Sequence, residues 1–598
     1  MDSPPDWRNI RCGWEIPSEN YSDQPYIVQT GDGAWLCAMT TGPGREGQRG
    51  QHIITTRSTD EGKTWSEPAD VEPSAGPEAS YAVLLKVPYG RIYCLYNHNT
   101  DDLREVRADD PPYKGGKCTR VDSQGYYVLK YSDDHGRTWS ERRHVIPVRE
   151  FEIDRENPYG GTVRYFWNVG KPFIHDGAAY CSLHKVGGLG AGFFTRSEGV
   201  LLRSENILTE RDPEKIAWET LPDGDAGLRT PPGGGLVAEE QSYSVLSDGS
   251  FYCVYRTVDG HPAFAYSRDG GHTWTEPRYK RYADGRLMKH PRAANFAWKC
   301  SNGRYLYWFH NHGGRGYEDR NPVWLCGGLE ADAPEGKVIR WSQPEIVLYD
   351  DDPYVRMSYP DLVEQDGRYF LTETQKDVAR VHEVDAELLE GLWRQFDNAT
   401  VATKGLVLGL PAGGAMPTEI DMPRLPEFLA RDGGRPDYGT KDLRRGFAID
   451  MWLQLDSLAA GQVVLDGRTE SGRGVAIETT TRGTLEIVLN DGRTESRWDC
   501  DAGMLEAGKL HHVAVIVDGG PKIISFVVDG RLCDGGEGRQ FGWGRFSPNL
   551  RHVNGATRLR IGPDLWGEIR ALRVYDRYLR TSEAIGNYRA GAGDEGAK

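Results

Sequence analysis

Six segments in the first two thirds of the chain share one pattern of hydrophobic and polar positions. Each has an apolar run, a glycine-containing turn and a second apolar run, and the segments begin at Asp23, Pro77, Gly170, Glu239, His290 and Ser358. This pattern predicts two strands joined as a hairpin. Because a hairpin repeated along a chain is typical of a propeller, we expect six blades whose inner strands come from these segments. The stretch from Trp7 to Ile16 is expected to close the last blade.

A different pattern begins after residue 396. LLEGLWRQF, at 388–396, predicts a short helical connection, and it is followed by longer alternating runs such as FAIDMWLQL and TLEIVLN. Long alternating strands without the hairpin repeat favour two sheets packed face to face. The predicted fold is therefore all-β, with a six-bladed β-propeller over residues 1–396 and a β-sandwich jelly roll over residues 397–598.

A nine-residue motif occurs three times in the propeller part, as RSTDEGKTW from Arg57, YSDDHGRTW from Tyr131 and YSRDGGHTW from Tyr266. All three fit Ser-x-Asp-x-Gly-x-Thr-Trp. The Asp side chain (Asp60, Asp134 or Asp133, and Asp269) can accept hydrogen bonds from turn amides, and the Gly suits a positive φ. The Trp then packs between neighbouring sheets. We interpret the motif as a structural turn that binds no substrate.

The motif resembles the Asp box of the sialidase (neuraminidase) superfamily, also called the BNR repeat, and this resemblance implies a six-bladed propeller. The second part resembles a laminin-G or concanavalin A-like jelly roll. That likeness rests on HHVAVIVDGG from His511, IISFVVDGR from Ile523 and GEIRALRVYDRYL from Gly567. Such modules bind carbohydrate or are purely structural, and the sequence does not distinguish the two roles.

Composition narrows the possible functions. The net charge is −16, from 72 basic and 88 acidic side chains, which disfavours nucleic acid as a partner. There is no apolar run of membrane-spanning length. The ten cysteines contain no CxxC pair, and four of them recur at one strand position, so we expect buried thiols and no metal site or cofactor. The first 17 residues lack a basic start and an apolar core, which predicts a cytoplasmic protein or one that begins after a removed leader.

Candidate functional residues lie where the inner strands begin, because these strand ends converge at one mouth of a propeller axis. They are Asp23, Gln24, Glu78, Lys171, Glu239, Glu240, Gln241, His290, Arg292, Arg356 and Asp361. The ends of the second strands add Asn97, His98, His184, Lys185, Arg256, His310, Asn311 and Glu373. Charged groups at the centre of an apolar fold are costly unless paired, so the pattern indicates a ligand, ion pairs or water.

The sialidase resemblance assigns roles to some of these residues. Sialidases use a Tyr nucleophile with a Glu as its base, and arginines that hold the substrate carboxylate. Tyr359 in SYPDL matches the nucleophile, although Pro stands where Ser is usual. Glu240 and Arg256, in EEQSYSVLSDGSFYCVYR, match the base and one arginine, and Arg320 in EDRNPVWL matches a later arginine.

One match fails. The family's first clamp arginine, in Phe-Arg-Ile-Pro, corresponds here to YSDQPYIV, which places Asp23 in its position. A carboxylate would repel a sialic acid carboxylate, so sialic acid is not the expected substrate. Lys171, Arg292 or Arg356 would have to restore the missing positive charge. The acid/base residue is expected to be Asp23 or Glu46.

These observations favour an exo-acting glycoside hydrolase that cleaves a terminal, acidic sugar with Tyr359 and Glu240. One alternative is a polysaccharide lyase or an inverting glycosidase that uses a His–carboxylate pair such as His290 with Glu240. A second alternative is a carbohydrate-binding protein without catalysis. The partner in each case is a glycan. The sequence leaves open the sugar, the linkage and the oligomeric state.

Overall fold

The computed structural model describes residues 6–108, 116–190, 194–434 and 439–592, and these residues are mostly β-strand. The first part folds into six antiparallel sheets, which are the six blades of a propeller. Blades one to three contain the strands Tyr21–Gln29, Trp35–Gly42, His52–Ser58 and Ala69–Glu72; Ala79–Lys86, Ile92–His98, Tyr126–Ser132 and His144–Val145; and Phe166–Trp167, Phe173–His175, Ala178–Leu189, Phe194–Ser204 and Glu219–Leu221.

Blades four to six follow the same order from the axis outwards. They contain Glu239–Val245, Phe251–Arg256, Ala263–Ser267 and Arg278–Tyr279; Phe296–Lys299, Tyr305–Phe309, Val323–Ala333, Gly336–Trp341 and Glu345–Leu348; and Leu362–Gln365, Arg368–Thr374, Ala379–Val384 and Trp14–Ile16. The last of these strands pairs with Ala379–Val384, so the N-terminal segment closes the propeller as predicted. Radial closure leaves no long exposed sheet edge.

The three Asp boxes form the same turn between the third and fourth strands of their blades. In the first box, the Ser58 hydroxyl donates to Asp60 Oδ1 at 2.8 Å and accepts from the Gly62 amide at 2.8 Å. Asp60 also accepts from the amide and the hydroxyl of Thr64, at 2.9 and 2.6 Å. Asp134 and Asp269 occupy the equivalent place, so the second box uses Asp134 and not Asp133.

A strained residue opens the innermost strand in most blades. Gln24, Tyr81, Glu240 and Tyr359 have φ values of 57°, 63°, 59° and 48°, and Gly170 has 88°. In blades one, two and four this residue lies in a β-bulge. Non-glycine residues rarely adopt the left-handed conformation, and strain of this kind is concentrated at functional sites. These residues recur around the axis, so we expect the functional site at the mouth of the propeller.

The second part is the predicted β-sandwich. One sheet contains Leu406–Leu410, Gly567–Tyr575, Phe447–Leu455, Leu510–Asp518, Ile523–Val528, Arg531–Leu532 and Gly544–Arg545. The other contains Glu419–Asp421, Arg558–Ile561, Val463–Asp466, Gly474–Thr479, Leu485–Asn490 and Glu495–Asp499. Their facing sides share one apolar core, which includes Phe447, Ile487 and Val515.

Short elements complete the chain and connect its two parts. The helices are Glu152–Arg155, Ala386–Arg394 and Thr581–Arg589, the 3₁₀ turns are Ile10–Cys12 and Pro213–Lys215, and the small hairpins are Val106–Arg107 with Lys117–Cys118 and Leu429–Arg431 with Thr440–Asp442. The helix Ala386–Arg394 is the predicted connection. No helix among the described residues is long and apolar enough to cross a membrane.

The propeller and the sandwich pack directly against each other. One buried apolar cluster includes Tyr307 and Trp324 from the fifth blade and Trp543 and Tyr575 from the sandwich. The Trp543 indole donates to the backbone oxygen of Asn311 at 3.0 Å. A shared apolar core of this kind makes free movement of one part against the other costly.

Candidate active site

Tyr359 and Glu240 meet at the axis although 119 positions separate them in the chain. The Tyr359 hydroxyl donates to Glu240 Oε1 at 2.8 Å, and both side chains are buried. Burial and the adjacent Glu240 raise the pKa of Tyr359 well above its ordinary value. Burial also raises the pKa of Glu240, although Arg256 acts in the opposite direction. A carboxylate of raised pKa in contact with a phenol is positioned to accept its proton.

Arg256 connects this pair to a second carboxylate. Its guanidinium lies 2.9 Å from Glu240 Oε1 and 2.6 Å from Glu239 Oε2. Glu239 also accepts from Arg292 at 2.7 Å. Burial alone would raise the pKa of Glu239, but Arg256 and Arg292 lower it to about 2. Glu239 is therefore ionised at neutral pH, and it fixes the two arginines in place.

Arg320 completes a cluster of three arginines. The guanidinium carbons of Arg256, Arg292 and Arg320 lie 6.0, 5.0 and 5.8 Å from the centre of the Tyr317 ring. Arg320 donates to the Ser358 hydroxyl and to the Arg292 carbonyl, but its buried Nε has no partner among the described residues. A buried guanidinium with an unused donor is suited to an anionic ligand.

Asp23 and Glu46 lie on the other side of Tyr359, joined by a lysine. Lys376 Nζ is 2.9 Å from Asp23 and 3.4 Å from Glu46, and it lies 4.2 Å from the centre of the Tyr359 ring. Burial raises the pKa of Asp23, although Lys376 opposes this. Burial acts in the same direction on Glu46, but Lys376 and Arg120 lower its pKa to about 2. Glu46 is therefore ionised at neutral pH, whereas Asp23 keeps a proton more readily than an ordinary Asp does.

Tyr81 forms a second tyrosine–carboxylate pair at the mouth. Its hydroxyl donates to Asp122 Oδ2 at 2.5 Å, and Arg120 binds the same carboxylate oxygen at 2.6 Å. The Tyr81 ring packs on Trp167 with ring centres 4.0 Å apart. Arg120 also approaches Glu46 at 3.2 Å, so this group is continuous with the Asp23 side of the site.

Comparisons with known proteins match two regions of the chain. Residues 130–141 match the BNR/Asp-box repeat, and residues 436–585 match the concanavalin A-like lectin/glucanases superfamily. The chain carries a BNR repeat and a concanavalin A-like domain. The search of curated proteins finds no match.

The chain is similar to several solved structures. An intramolecular trans-sialidase from Ruminococcus gnavus is 15% identical with a TM-score of 0.43, over 62% of this chain and 96% of that one. A Trypanosoma rangeli sialidase is 13% identical with a TM-score of 0.42, over 96% and 95%. The NanB sialidase of Streptococcus pneumoniae is 14% identical with a TM-score of 0.44, over 62% and 70%.

Several candidates from the sequence lie outside this central group of the BNR propeller. Gln24 donates to the Asn168 carbonyl at 2.9 Å, and Gln241 donates to the Ala238 carbonyl at 3.1 Å. Arg356 is half-exposed at the rim, 3.8 Å from Glu318. Each of these side chains has a partner elsewhere in the protein, although Gln24 Oε1 and Gln241 Oε1 are buried without a hydrogen-bond partner among the described residues.

Three further candidates form contacts within the protein. Lys171 pairs with Asp361 at 2.8 Å and donates to the Ile27 carbonyl at 2.9 Å, which ties three blades together. His290 binds the Ala293 carbonyl through Nε2 at 2.8 Å and accepts from the His310 amide through Nδ1 at 3.1 Å. Burial lowers the pKa of His290 to about 3, so the ring is neutral and both nitrogens are occupied.

Glu78 shows why the repeat pattern misplaced one side chain. Glu78 and Glu240 each stand second in their segments, but the strand pairs Leu84–Cys94 and Tyr243–Cys253 show that Tyr81 occupies the position of Glu240, each in the same bulge of its blade. Glu78 instead forms an ion pair with Arg104 at 2.6 Å. The spacing from Tyr81 to Cys94 equals that from Glu240 to Cys253, so the sequence contained the correct alignment and the prediction for Glu78 was wrong.

The sequence reasoning also missed Lys376, Arg120, Asp122 and Tyr81. Lys376 has φ 78° in the loop after the second strand of blade six, in TETQKD. Arg120 and Asp122 lie in the connection between the second and third strands of blade two. The only sequence signal was that both loops start at the mouth end of a second strand, where polar residues were already expected to gather.

Proposed function

We propose that the protein is an exo-acting glycoside hydrolase of the sialidase superfamily that cleaves a terminal acidic sugar from a glycan. The observation that carries the proposal is the 2.8 Å hydrogen bond between the Tyr359 hydroxyl and Glu240, made by two left-handed residues on different blades. A phenol is a weak nucleophile near neutral pH, and a neighbouring carboxylate base makes its use possible. The match of Tyr359 and Glu240 to the family motif supports the same roles.

In the proposed reaction, the Tyr359 oxygen attacks the anomeric carbon as Glu240 accepts its proton. The bond to the leaving group breaks, and the leaving oxygen takes a proton from an acid. Water then attacks the glycosyl-tyrosine and gives a proton to the conjugate base of that acid, the bond to Tyr359 breaks, and the phenolate takes its proton back from Glu240. Arg256, which contacts Glu240 at 2.9 Å, favours negative charge on the tyrosine–glutamate pair during the first step.

The acidic character of the substrate is supported by the arginine cluster. Arg256 and Arg292 pair with the Glu239 carboxylate, whereas Arg320 bonds only to the Ser358 hydroxyl and the Arg292 carbonyl among the described residues. Burial lowers the pKa of Arg320, which means that the charged guanidinium is costly to bury. An anion bound beside it would offset that cost. We therefore assign Arg320 as the principal anion contact, with Arg256 and Arg292 beside it.

Asp23 is the proposed general acid, in preference to Glu46. A general acid must hold a proton near the working pH, and burial raises the pKa of Asp23 while that of Glu46 is about 2. Asp23 Oδ1 is also buried without a partner among the described residues. Glu46 is 18% exposed, and it shares Lys376 and Arg120 with this site.

Chromogenic glycosides with different terminal sugars test the proposal directly. Release of the chromophore with a saturated sugar product supports hydrolysis. An unsaturated uronate product would show a lyase, and binding without turnover would show a carbohydrate-binding protein. The lyase alternative with His290 as base lacks support, because both ring nitrogens of His290 bind backbone groups.

The first prediction concerns specificity. An α-sialoside reporter should have a kcat/KM at least about tenfold below that of the best acidic-sugar reporter, because Asp23 stands where the family has a clamp arginine. Loss of one hydrogen bond to a charged group costs about 1.5–3 kcal/mol, which is tenfold to over a hundredfold. Lys376 offsets only part of the repulsion because it is shared with Glu46. Equal kcat/KM values for the two reporters would contradict this prediction.

The second prediction concerns Lys376. Replacing it with Met removes a cation 2.9 Å from Asp23, which should raise the pKa of Asp23 further. Since a general acid works while protonated, the alkaline limb of kcat/KM should move upwards by about one pH unit or more. A pH profile of the folded variant, checked by thermal unfolding, measures the shift. An unchanged alkaline limb would argue against Asp23 as the acid.

A further inference from the structure

Arg320 lies near the end of a fifth-blade loop that contacts the concanavalin A-like domain. We call residues 311–321 the arginine loop. The Arg545 guanidinium of the concanavalin A-like domain donates to the Asn321 carbonyl at 2.7 Å. Because Asn321 directly follows Arg320, this bond fixes the backbone beside the proposed anion contact.

Two further bonds tie the beginning of the arginine loop to the same part of the concanavalin A-like domain. The buried Trp543 indole donates to the Asn311 carbonyl at 3.0 Å, and the Gly313 amide donates to the Gln540 carbonyl at 2.9 Å. All three contacts come from residues 540–545. A loop held at both ends by one segment of a folded domain is ordered before any substrate binds, which lowers the entropic cost of binding.

His312 connects the Gln540 side chain to the residue before Arg320. Its Nδ1 accepts from the Gly314 amide at 3.1 Å and lies 3.2 Å from the side-chain nitrogen of Gln540, and its Nε2 binds the Asp319 carbonyl at 2.9 Å. Burial lowers the pKa of His312 to about 4, so the neutral ring can accept at Nδ1 and donate at Nε2. Asp319 has a φ of 60°, a strained conformation that persists only where surrounding contacts hold it.

Arg545 is itself fixed within the concanavalin A-like domain. It ends the short strand Gly544–Arg545, which pairs with the strand Ile523–Val528. Its guanidinium also donates to the Pro521 carbonyl at 2.8 Å and lies 5.6 Å from the centre of the Trp543 ring. Burial lowers the pKa of Arg545 to about 10, so the group is still charged at neutral pH. A charged donor in a fixed place forms a stronger hydrogen bond to a carbonyl than a neutral donor does.

The arginine loop also carries other parts of the anion site. The Gly316 carbonyl accepts from the Arg292 amide at 3.0 Å. The Tyr317 ring lies 5.0, 5.8 and 6.0 Å from the guanidinium carbons of Arg292, Arg320 and Arg256. A shift of the loop backbone would therefore displace Arg320 and Tyr317 together.

We propose that the concanavalin A-like domain positions Arg320 for the anionic group of the substrate, with Arg545 and Gln540 as the positioning residues. The proposal rests on the proposed function, in which Arg320 is the principal anion contact. Both residues act through the backbone of the arginine loop and not by touching the substrate. The domain thereby takes part in substrate binding without a sugar bound to the domain itself.

Arg545→Met tests the proposal, because it keeps an apolar stem and removes the donors to Asn321. On the best acidic-sugar reporter it should raise KM by about tenfold and leave kcat within about twofold of wild type, since an anion contact holds the bound substrate and the transition state alike. Arg545→Lys keeps a charged donor and should raise KM by less than about threefold. Arg320→Met removes the contact itself and should raise KM by about a hundredfold.

A double-mutant cycle separates positioning from a general loss of structure. In the Arg320→Met protein, adding Arg545→Met should raise KM by no more than about twofold further, because the side chain that Arg545 positions is gone. Gln540→Ala is a second variant, which removes an exposed side chain and decides the question if Arg545→Met does not fold. It should raise KM by about threefold, since the backbone bond between Gln540 and Gly313 remains.

Arg286→Met is the matched control. Arg286 belongs to the propeller and donates to the Leu532 carbonyl at 2.9 Å across the same domain interface. Its side-chain hydrogen bonds to the described residues go to Asp284, Gln343, Leu532 and Asp534, and not to the arginine loop. Its loss should lower the Tm and leave KM unchanged.

The outcomes separate this proposal from the glycosidase proposal. If wild type hydrolyses the reporter and the folded Arg545 and Gln540 variants keep the wild-type KM, the positioning proposal is wrong and the glycosidase proposal stands. The same conclusion follows if Arg545→Met raises KM equally with and without Arg320, or if Arg286→Met raises KM as much as Arg545→Met does. If wild type hydrolyses no glycoside, both proposals are wrong.

Discussion

Tyr359→Phe is expected to lower kcat on the best glycoside substrate by at least about a thousandfold, since it removes the attacking oxygen and keeps the ring. Glu240 keeps Arg256 as a partner at 2.9 Å, so the free energy of unfolding should fall by only about 1 kcal/mol. The variant should still bind the glycan, because Arg320 and the rest of the cluster are intact. Steady-state kinetics, thermal unfolding and calorimetric binding to the inactive variant measure the three quantities.

Tyr96→Phe is the matched control for this experiment. Tyr96 is also a buried tyrosine that donates to a buried carboxylate, Glu72, but it lies in the core shared by the first two blades. Its loss should reduce stability by a similar amount and leave kcat unchanged. Near-native turnover by Tyr359→Phe would show that Tyr359 is not the nucleophile. A glycosyl-tyrosine adduct trapped on wild-type protein would show that it is.

Asp23→Asn should lower kcat/KM by about a hundredfold to ten-thousandfold on glycosides with poor leaving groups. The amide cannot donate a proton to the leaving oxygen, although it retains the shape of the side chain. Glycosides of acidic phenols need little protonation and should lose far less activity. The dependence of the rate on leaving-group pKa should therefore become steeper in the variant, and a series of substituted phenyl glycosides measures it.

Glu46→Gln distinguishes the two carboxylates that share Lys376. Glu46 has a pKa of about 2 and is ionised at the working pH, so its loss should not change the dependence on the leaving group. Loss of its charge would instead remove a partner of Arg120 and Lys376. If Glu46→Gln shows the steeper dependence and Asp23→Asn does not, the acid is Glu46 and our assignment is wrong.

Much of the fold could be predicted because it depends on patterns local in sequence. A strand with one buried face alternates its side chains regardless of what packs on it, and the Asp-box turn is built from residues within eight positions. The closing strand was also predictable. The sixth repeat lacks its outermost strand, so the N-terminal segment must supply it for the propeller to close. The resemblance to sialidases then singled out Tyr359, Glu240, Arg256 and Arg320.

The remaining part of the site could not be predicted, because it depends on contacts across the axis. Lys376 is an ordinary loop residue in the sequence, and only the convergence of blades one and six places it between Asp23 and Glu46. Arg292 was one of three possible replacement cations, and only the structure shows it on Glu239. Lys171, another of the three, is instead bound to Asp361.

The sequence by itself determined the six blades, the jelly roll and the strand ends from which the candidate side chains come. The tertiary structure decided which of those side chains face the axis and which charges pair. The physical reason is that the direction of a side chain at a strand end depends on local backbone angles, such as the φ of 63° at Tyr81 and 59° at Glu240, which the hydrophobic pattern does not record. Pairing of buried charges is then set by distances of a few ångströms between blades, for which the sequence holds no local signal.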